Sequence, residues 1–280
     1  MRWLSFEAGG KASFGYLTSD GEGIVDVGRR TGIADLKTAI AEGLLEQGSA
    51  QGDEADVALA DITYLPTITN PDKILCVGLN YKAHQEETGR GGEGVPTIFV
   101  RFAAAQMGHE QPMVRPTESN SLDFEGEIAM IIGKAGRRIS RADALDHVAG
   151  FGIYNDGSVR EYQRHTSQFT PGKNFASTGG FGPWMMTPDE IGDLDEMEIT
   201  TRLNGEVMQN SRASLIVHGF AELIEFCSTF IELVPGDVIV TGTPGGVGAA
   251  RNPPVFMDEG DTIEVEVKPI GTLSNPVVVG

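Results

Sequence analysis

Basic residues are scarce in this chain. Lys and Arg number 21 against 40 Asp and Glu, a formal net charge of −19 over 280 residues. A protein this acidic offers no basic face to a nucleic acid or an anionic membrane, which argues against both as partners. It also repels small anions at long range, so an acidic substrate needs a metal or a local cluster of cations to hold it. Long hydrophobic runs are lacking too. No segment approaches the roughly 18 residues of a membrane helix, and no apolar signal core follows Met1-Arg2-Trp3-Leu4-Ser5-Phe6-Glu7. Cysteine is limited to Cys76 and Cys227, each in an apolar segment, which reads as buried thiols rather than a disulfide and as a cytoplasmic protein.

Several chemical signatures are missing as well. His84, His109, His147, His165 and His218 are scattered, with no zinc spacing and no Cys-x-x-Cys. Gly-x-Ser-x-Gly is absent, which counts against a serine enzyme of the α/β-hydrolase type. The glycine-rich run Thr241-Gly242-Thr243-Pro244-Gly245-Gly246-Val247-Gly248 has no Gly-Lys-Ser/Thr ending, so it is not a P-loop. Its amides and the Thr243 hydroxyl suit a carboxylate, or the run is a tight structural turn.

What is present is a sequence rich in short strand signals. Residues 1–65 read as a small N-terminal α+β domain, with strands at Trp3–Phe6, Ser13–Leu17 and Gly23–Val27. A helix follows at Ile33–Gln47, with Leu36, Ile40 and Leu44/Leu45 on one stripe, then a loop over 47–53. Pro66–Pro71 reads as a linker into a main domain, 66–280. Strands are expected there at Lys73–Val77, Thr97–Val100, Glu127–Ile132, Gly150–Asn155, Glu198–Leu203, Val238–Thr241 and Thr262–Val267, several bounded by turn sequences such as Asn204-Gly205. Helices are expected at Arg141–His147, capped by Ser140, and at Gly219–Leu233, with Phe220, Leu223, Ile224, Cys227, Phe230 and Ile231 on one face. Without β-α alternation, the class is α+β and mostly β.

Phe124-Glu125-Gly126-Glu127-Ile128 carries the clearest chemistry. On a strand, residues two apart share a face, so Glu125 and Glu127 would lie side by side. Buried together, like charges repel unless a divalent cation sits between them. Asp156 ends the apolar run Phe151-Gly152-Ile153-Tyr154 and can complete an all-oxygen site, suited to Mg²⁺, Mn²⁺ or Ca²⁺. The plainer alternative is a solvated strand edge. In Gly78-Leu79-Asn80-Tyr81-Lys82-Ala83-His84-Gln85-Glu86-Glu87, a helical turn would put His84 beside Glu87, a pair suited to activating water, or merely a charged surface. The glycine-rich Gly89–Gly94 then reads as part of a lid, from about Tyr81 to Gly94, mobile without ligand and ordered with it, or as a plain loop. Gln163 and Lys173 follow Asp156. Lys173 suits a substrate carboxylate or an enolate oxygen, or it is a solvent-facing loop lysine.

Taken in order, Gly78-Leu79-Asn80-Tyr81-x-x-His84-x-x-Glu87, Asp123-Phe124-Glu125-Gly126-Glu127, Asn155-Asp156, Gly172-Lys173-Asn174-Phe175, Asn204-Gly205-Glu206 and Pro235-Gly236-Asp237-Val238-Ile239-x-Thr241-Gly242-Thr243-Pro244-x-Gly246-Val247-Gly248 resemble the fumarylacetoacetate hydrolase family over roughly residues 70–280. The resemblance implies a mixed β-roll for the main domain and a homodimer. It implies one Mg²⁺ or Mn²⁺ on Glu125, Glu127 and Asp156, a catalytic pair His84 and Glu87, an active-site Lys173, and substrate contacts from Tyr81, Gln163 and Thr243. The activity implied is metal-dependent hydrolysis of a C–C bond in an acylpyruvate, a small anionic 2-oxo acid, releasing pyruvate, as in catabolism of aromatic compounds or sugar acids. Decarboxylation of an oxaloacetate-like acid, or hydratase or isomerase chemistry on a 2-oxo acid, would use the same stabilised enolate. Departures from the family pattern at Val100-Arg101-Phe102, at residues 103–109 and in Asp156-Gly157-Ser158-Val159-Arg160-Glu161 are expected to face the substrate.

Overall fold

The computed structural model describes residues 1–45, 52–91 and 94–280. At the N-terminus, β1 (Arg2–Ala8) and β2 (Lys11–Leu17) form a hairpin about Gly9-Gly10. β3 (Gly23–Val25) ends two residues earlier than expected, because Asp26 accepts from the Arg29 amide and starts α1 (Val27–Thr31). The next helix is also shorter than its pattern: α2 spans Leu36–Ala41, opened by Asp35 accepting from the Thr38 amide and closed ahead of Gly43. Leu36 and Ile40 are buried, and Leu44 and Leu45 pack on the same core, so the stripe survives although the helix does not. Residues 46–51, most of the expected loop, lie outside the described residues. β4 (Val57–Ala58) pairs with β3, and β5 (Thr63–Tyr64) with β1. The segment 66–71 is tied down: the Thr67 amide donates to Phe181 O, and Ser5 Oγ to Thr67 O.

The main body begins with β6 (Ile74–Gly78), α3 (Lys82–Thr88) and β7 (Thr97–Arg101). β8 (Gln106–Met107), β9 (Met113–Arg115) and β10 (Leu122–Asp123) lead to β11 (Gly126–Ile132) and β12 (Val148–Asp156). Between these two, the expected helix over 141–147 tightens into a 3₁₀ turn at Ala144–His147. Ser140 does accept from the Asp143 amide as a cap would, but the chain must re-enter the sheet at Val148. β13 (Ser158–Val159), α4 (Arg160–Gln163) and α5 (Thr170–Lys173) precede β14 (Gly179–Met186) and α6 (Pro188–Ile191). β15 (Glu198–Leu203), β16 (Glu206–Arg212), α7 (Phe220–Phe230), β17 (Val238–Val240), β18 (Thr262–Lys268) and β19 (Gly271–Val279) complete the chain. α7 buries Phe220, Leu223, Ile224 and Cys227 as expected, whereas Phe230 is half exposed.

The architecture is mostly β with mixed sheets. A 12-stranded sheet runs β4-β3-β2-β1-β14-β12-β11-β17-β6-β7, with β5 and β8 pairing off that path, and a five-stranded sheet runs β16-β15-β18-β19-β9. Most pairs are antiparallel; β6 runs parallel to β17, β8 to β14 and β9 to β19. β11 lies at the centre and is buried along its whole length. One core lies on its Ile128, Met130 and Ile132 face, with α7 and the five-stranded sheet; the other lies on its Ala129 and Ile131 face, with α2 and the N-terminal strands. Both cysteines are free and buried. No helix among the described residues is long and apolar enough to cross a membrane.

Candidate active site

Glu125 stands just ahead of β11 and Glu127 within it. Asp156 ends β12, the antiparallel neighbour, in which Gly126 lies opposite Asn155 and Glu127 opposite Tyr154. The Asp156 amide donates to Glu125 O at 2.9 Å, and the Glu125 amide to Asn155 Oδ1 at 3.0 Å, so the two chain ends are locked in register. All three carboxylates are buried, and ligand oxygens from the three lie within 4.8 Å of one another.

Cations surround two of them. Lys173 Nζ donates to Glu125 Oε2 at 2.7 Å and to Asp156 Oδ2 at 2.6 Å. Arg160 Nη1 donates to Glu125 Oε1 at 2.6 Å and its Nε to Asp123 Oδ2 at 2.8 Å. Arg101 Nη1 donates to Asp156 Oδ1 at 2.5 Å and to Gly157 O at 3.0 Å. Burial works against charge on Glu125, but Lys173 and Arg160 outweigh it and hold that carboxyl well below its ordinary range. Burial likewise lowers the Lys173 ammonium, and Asp156 and Glu125 more than restore it. Glu127 differs. It accepts the Gly242 amide at 2.5 Å but makes no ion pair among the described residues. Burial, then Asp156 and Glu125, push its carboxyl well above the usual value.

These residues fit a divalent cation. Four buried carboxylates, Asp123 included, face three buried cations, and the unbalanced charge rests on Glu127. The donor set is all oxygen, which suits Mg²⁺, Mn²⁺ or Ca²⁺. Each oxygen of Glu125 and Asp156 accepts one hydrogen bond and keeps a second lone pair free. Glu125, Glu127 and Asp156 are the residues that would hold the ion.

A cavity of about 370 Å³ opens beside the carboxylates, lined by Glu125, Glu127, Lys173, His84 and Glu87 among others. The i,i+3 spacing places His84 Nδ1 at 2.6 Å from Glu87 Oε1. The other oxygen of Glu87 accepts the Gly246 amide at 2.7 Å. Gly246 has φ +107, and a Cβ there would meet Met208 O at 2.3 Å, so only glycine presents its amide this way. Gln163 also lines the cavity, its Oε1 accepting from Arg160 Nη1 at 2.9 Å. Thr243 lines it too, but its hydroxyl is engaged with Gly126 O and Gln209 Nε2. Asp156 is wholly buried and does not itself line the cavity. Neither does Tyr81: its hydroxyl is buried without a hydrogen-bond partner among the described residues, and burial and Glu127 raise its pKa. Residues 92–93 of the expected lid lie outside the described residues.

Among residues 100–109 and 156–161, where the sequence departs from the family pattern, Arg160 alone lines the cavity as expected. Phe99 and Arg101 share one face of β7. Phe99 lines the cavity, while Arg101, one step deeper, is buried against Asp156. Val100 and Phe102, on the other face, are exposed. Gln106 accepts from the Tyr154 hydroxyl, and His109 Nδ1 from the Ser274 amide at 3.0 Å. Gly157 packs so close to Thr178 O that a Cβ would stand 2.2 Å from it, and Ser158 Oγ donates to Asp156 O. Of these, Arg101 and Ser158 contact Asp156 from behind, and Arg101 also donates to Gly157 O. Arg160 lies in a segment expected to face the substrate, but its pairing with Asp123 and Glu125, 37 and 35 residues earlier, has no local signal in the sequence.

Residues 73–278 match the family described as Fumarylacetoacetate (FAA) hydrolase C-terminal. The chain is 38% identical to Oxaloacetate tautomerase FAHD2A, mitochondrial, of Bos taurus, covering 99% of this chain and 92% of that protein. It is 38% identical to Oxaloacetate tautomerase YisK of Bacillus subtilis, covering 87% and 83%. Among solved structures, fumarylacetoacetate hydrolase (EaFAH) from psychrophilic Exiguobacterium antarcticum superimposes over the full length of both chains with TM-score 0.86 at 33% identity.

Proposed function

We propose that this chain, which belongs to the fumarylacetoacetate hydrolase family, catalyses divalent-metal-dependent enol–keto interconversion of a small 2-oxo diacid of the oxaloacetate type. The observation that carries this reading is the His84–Glu87 pair lining the same cavity as the carboxylate cluster. The oxaloacetate tautomerases among its relatives supply the substrate type.

A bound divalent cation supplies Lewis acidity to the 2-oxygen and the adjoining carboxylate. The chain's own residues do the rest. Glu87 accepts from Nδ1 of His84, which leaves Nε2 as the ring atom able to take or give a proton. In the keto-to-enol direction Nε2 removes a proton from C3, and a proton is returned to the 2-oxygen; the reverse direction delivers the proton to C3. Glu87 stabilises the imidazolium that forms between the two transfers. Arg160 Nη2, buried with no hydrogen-bond partner among the described residues, serves as a donor to a substrate carboxylate. Lys173 keeps Glu125 and Asp156 fixed throughout.

A second reading is hydrolysis of an acylpyruvate, with His84 drawing a proton from water aimed at a C4 carbonyl. The apolar wall of Val77, Phe99, Phe169 and Val247, which would accept an acyl chain, favours it. The test is the decay of enol-oxaloacetate absorbance with Mg²⁺ or Mn²⁺ and with chelator, beside pyruvate release from a panel of acylpyruvates. Metal-dependent acceleration of enol decay supports the first reading. Its absence overturns that reading, and pyruvate release would then point to the second.

A further inference from the structure

We propose that Arg90 and Arg164 form a second anion subsite at the mouth of the cavity, which binds the carboxylate remote from the 2-oxo group. It would select dicarboxylic over monocarboxylic 2-oxo acids. This rests on the assignment of the cavity as the place where a 2-oxo acid binds.

The cations at the inner end are committed. Lys173 holds Glu125 and Asp156, Arg101 holds Asp156, and Arg160 holds Asp123 and Glu125, leaving only its Nη2. A ligand with one carboxylate finds its partners there. A second carboxylate, further along the ligand, needs cations elsewhere, and the chain's charge of −19 makes the general surroundings hostile to it. Arg90 and Arg164 also line this cavity. Both are exposed, and neither side chain makes an ion pair or hydrogen bond among the described residues. In a protein with nearly twice as many acids as bases, two arginines in one cavity that have no carboxylate partner among the described residues are matched to an anion from outside.

Backbone hydrogen bonds place both at helix ends. Arg90 follows Gly89, the left-handed residue that closes α3, and its amide donates to Gln85 O at 3.1 Å. Arg164 caps the C-terminus of α4, its amide donating to Arg160 O and Glu161 O, each at 3.2 Å. α3 carries His84 and Glu87, and α4 carries Arg160 and Gln163. A carboxylate bound between Arg90 and Arg164 therefore links the helix that moves the proton to the helix that holds the ligand's inner end. A diacid would close the site in a way a monoacid could not.

The experiment compares two inert ligands that differ only in the remote group, L-malate and L-lactate. Each is titrated into the Mg²⁺-loaded protein by calorimetry, in the wild type, Arg90→Gln, Arg164→Gln and the double variant, with melting temperatures to confirm folding. The wild type should favour malate by about tenfold or more, the loss expected for a charge-assisted contact. The preference should shrink in each single variant and approach unity in the double one. Equal binding of malate and lactate by the wild type, or a preference that survives the double substitution, would overturn the proposal. Because the readout is binding of non-reacting acids, failure of enol-oxaloacetate turnover would count against the assigned reaction and leave this result to stand or fall separately.

Discussion

Glu87 and Gly246 are 159 residues apart, and the carboxylate of one accepts the amide of the other at 2.7 Å. The same carboxylate orients His84, so one side chain both positions the ring and fastens α3 to the loop after β17. Glu87→Gln keeps an acceptor for Gly246 and removes the charge beside the imidazole. We expect His84→Ala to reduce turnover by about 10²–10⁴ and Glu87→Gln by less. The rise in melting temperature on adding Mg²⁺ should persist in both. Loss of that rise in His84→Ala would mean the ring belongs to the ion site instead.

The ion itself can be tested through stability. A cation bound to the folded protein alone at a hundredfold excess over its Kd adds about 2.7 kcal/mol. Glu127→Gln should abolish this gain. In chelator the variant should be no less stable than the wild type, because it replaces a buried carboxylate that makes no ion pair among the described residues by a neutral isostere. Denaturant titration with Mg²⁺, Mn²⁺ and EDTA reads both outcomes; an unchanged Mg²⁺ effect in Glu127→Gln would remove Glu127 from the ligand set.

Arg101 is buried against Asp156, and its second nitrogen reaches Thr178 Oγ1 at 2.8 Å. Arg101→Met leaves that carboxylate with Lys173 alone and should destabilise the metal-free protein by about 3 kcal/mol. Arg101→Lys keeps the charge but not the fork and should fall between the two. Equal stability of all three would show that Lys173 suffices.

These outcomes also mark what could be read in advance. Glu125, Glu127 and Asp156 were legible because strand periodicity and an apolar run ending in a carboxylate fix where side chains point. His84 and Glu87 were legible because helical spacing does the same. Arg101 was not, since nothing local distinguishes an arginine that rises to solvent from one that descends to a carboxylate 55 residues away. The 141–147 segment carried a genuine cap signal, overridden by the need to return to β12. α2 kept its apolar stripe but not its helical length, because its end is set by the turn at Gly43 rather than by pattern.

His109 supplies a pH dependence away from the cavity. Burial lowers its pKa below the ordinary 6.5, with Glu110 opposing only in part. Its Nδ1 accepts from Ser274, and its ring meets Tyr64 edge-on at 4.7 Å. The unfolded chain therefore takes up a proton first as pH falls, so this contribution is intact above about pH 6.5 and declines below it. Unfolding midpoints measured from pH 7.5 down to 5.5 should fall in the wild type and fall less steeply in His109→Gln. Identical slopes would show that other groups set the acid limit.

The pairing of Arg2 with Met186 and Trp3 with Met185 has a consequence for any shortened form of this protein. A chain beginning at residue 66 would leave that end of β14 with its amides and carbonyls unpaired. It would also strip Trp3 from the core it shares with Phe181 and Met185. An open strand bordered by apolar surface is a template for a second chain. The opening strands thus act as a cover for β14, and their removal should show itself first as self-association and only afterwards as lost activity.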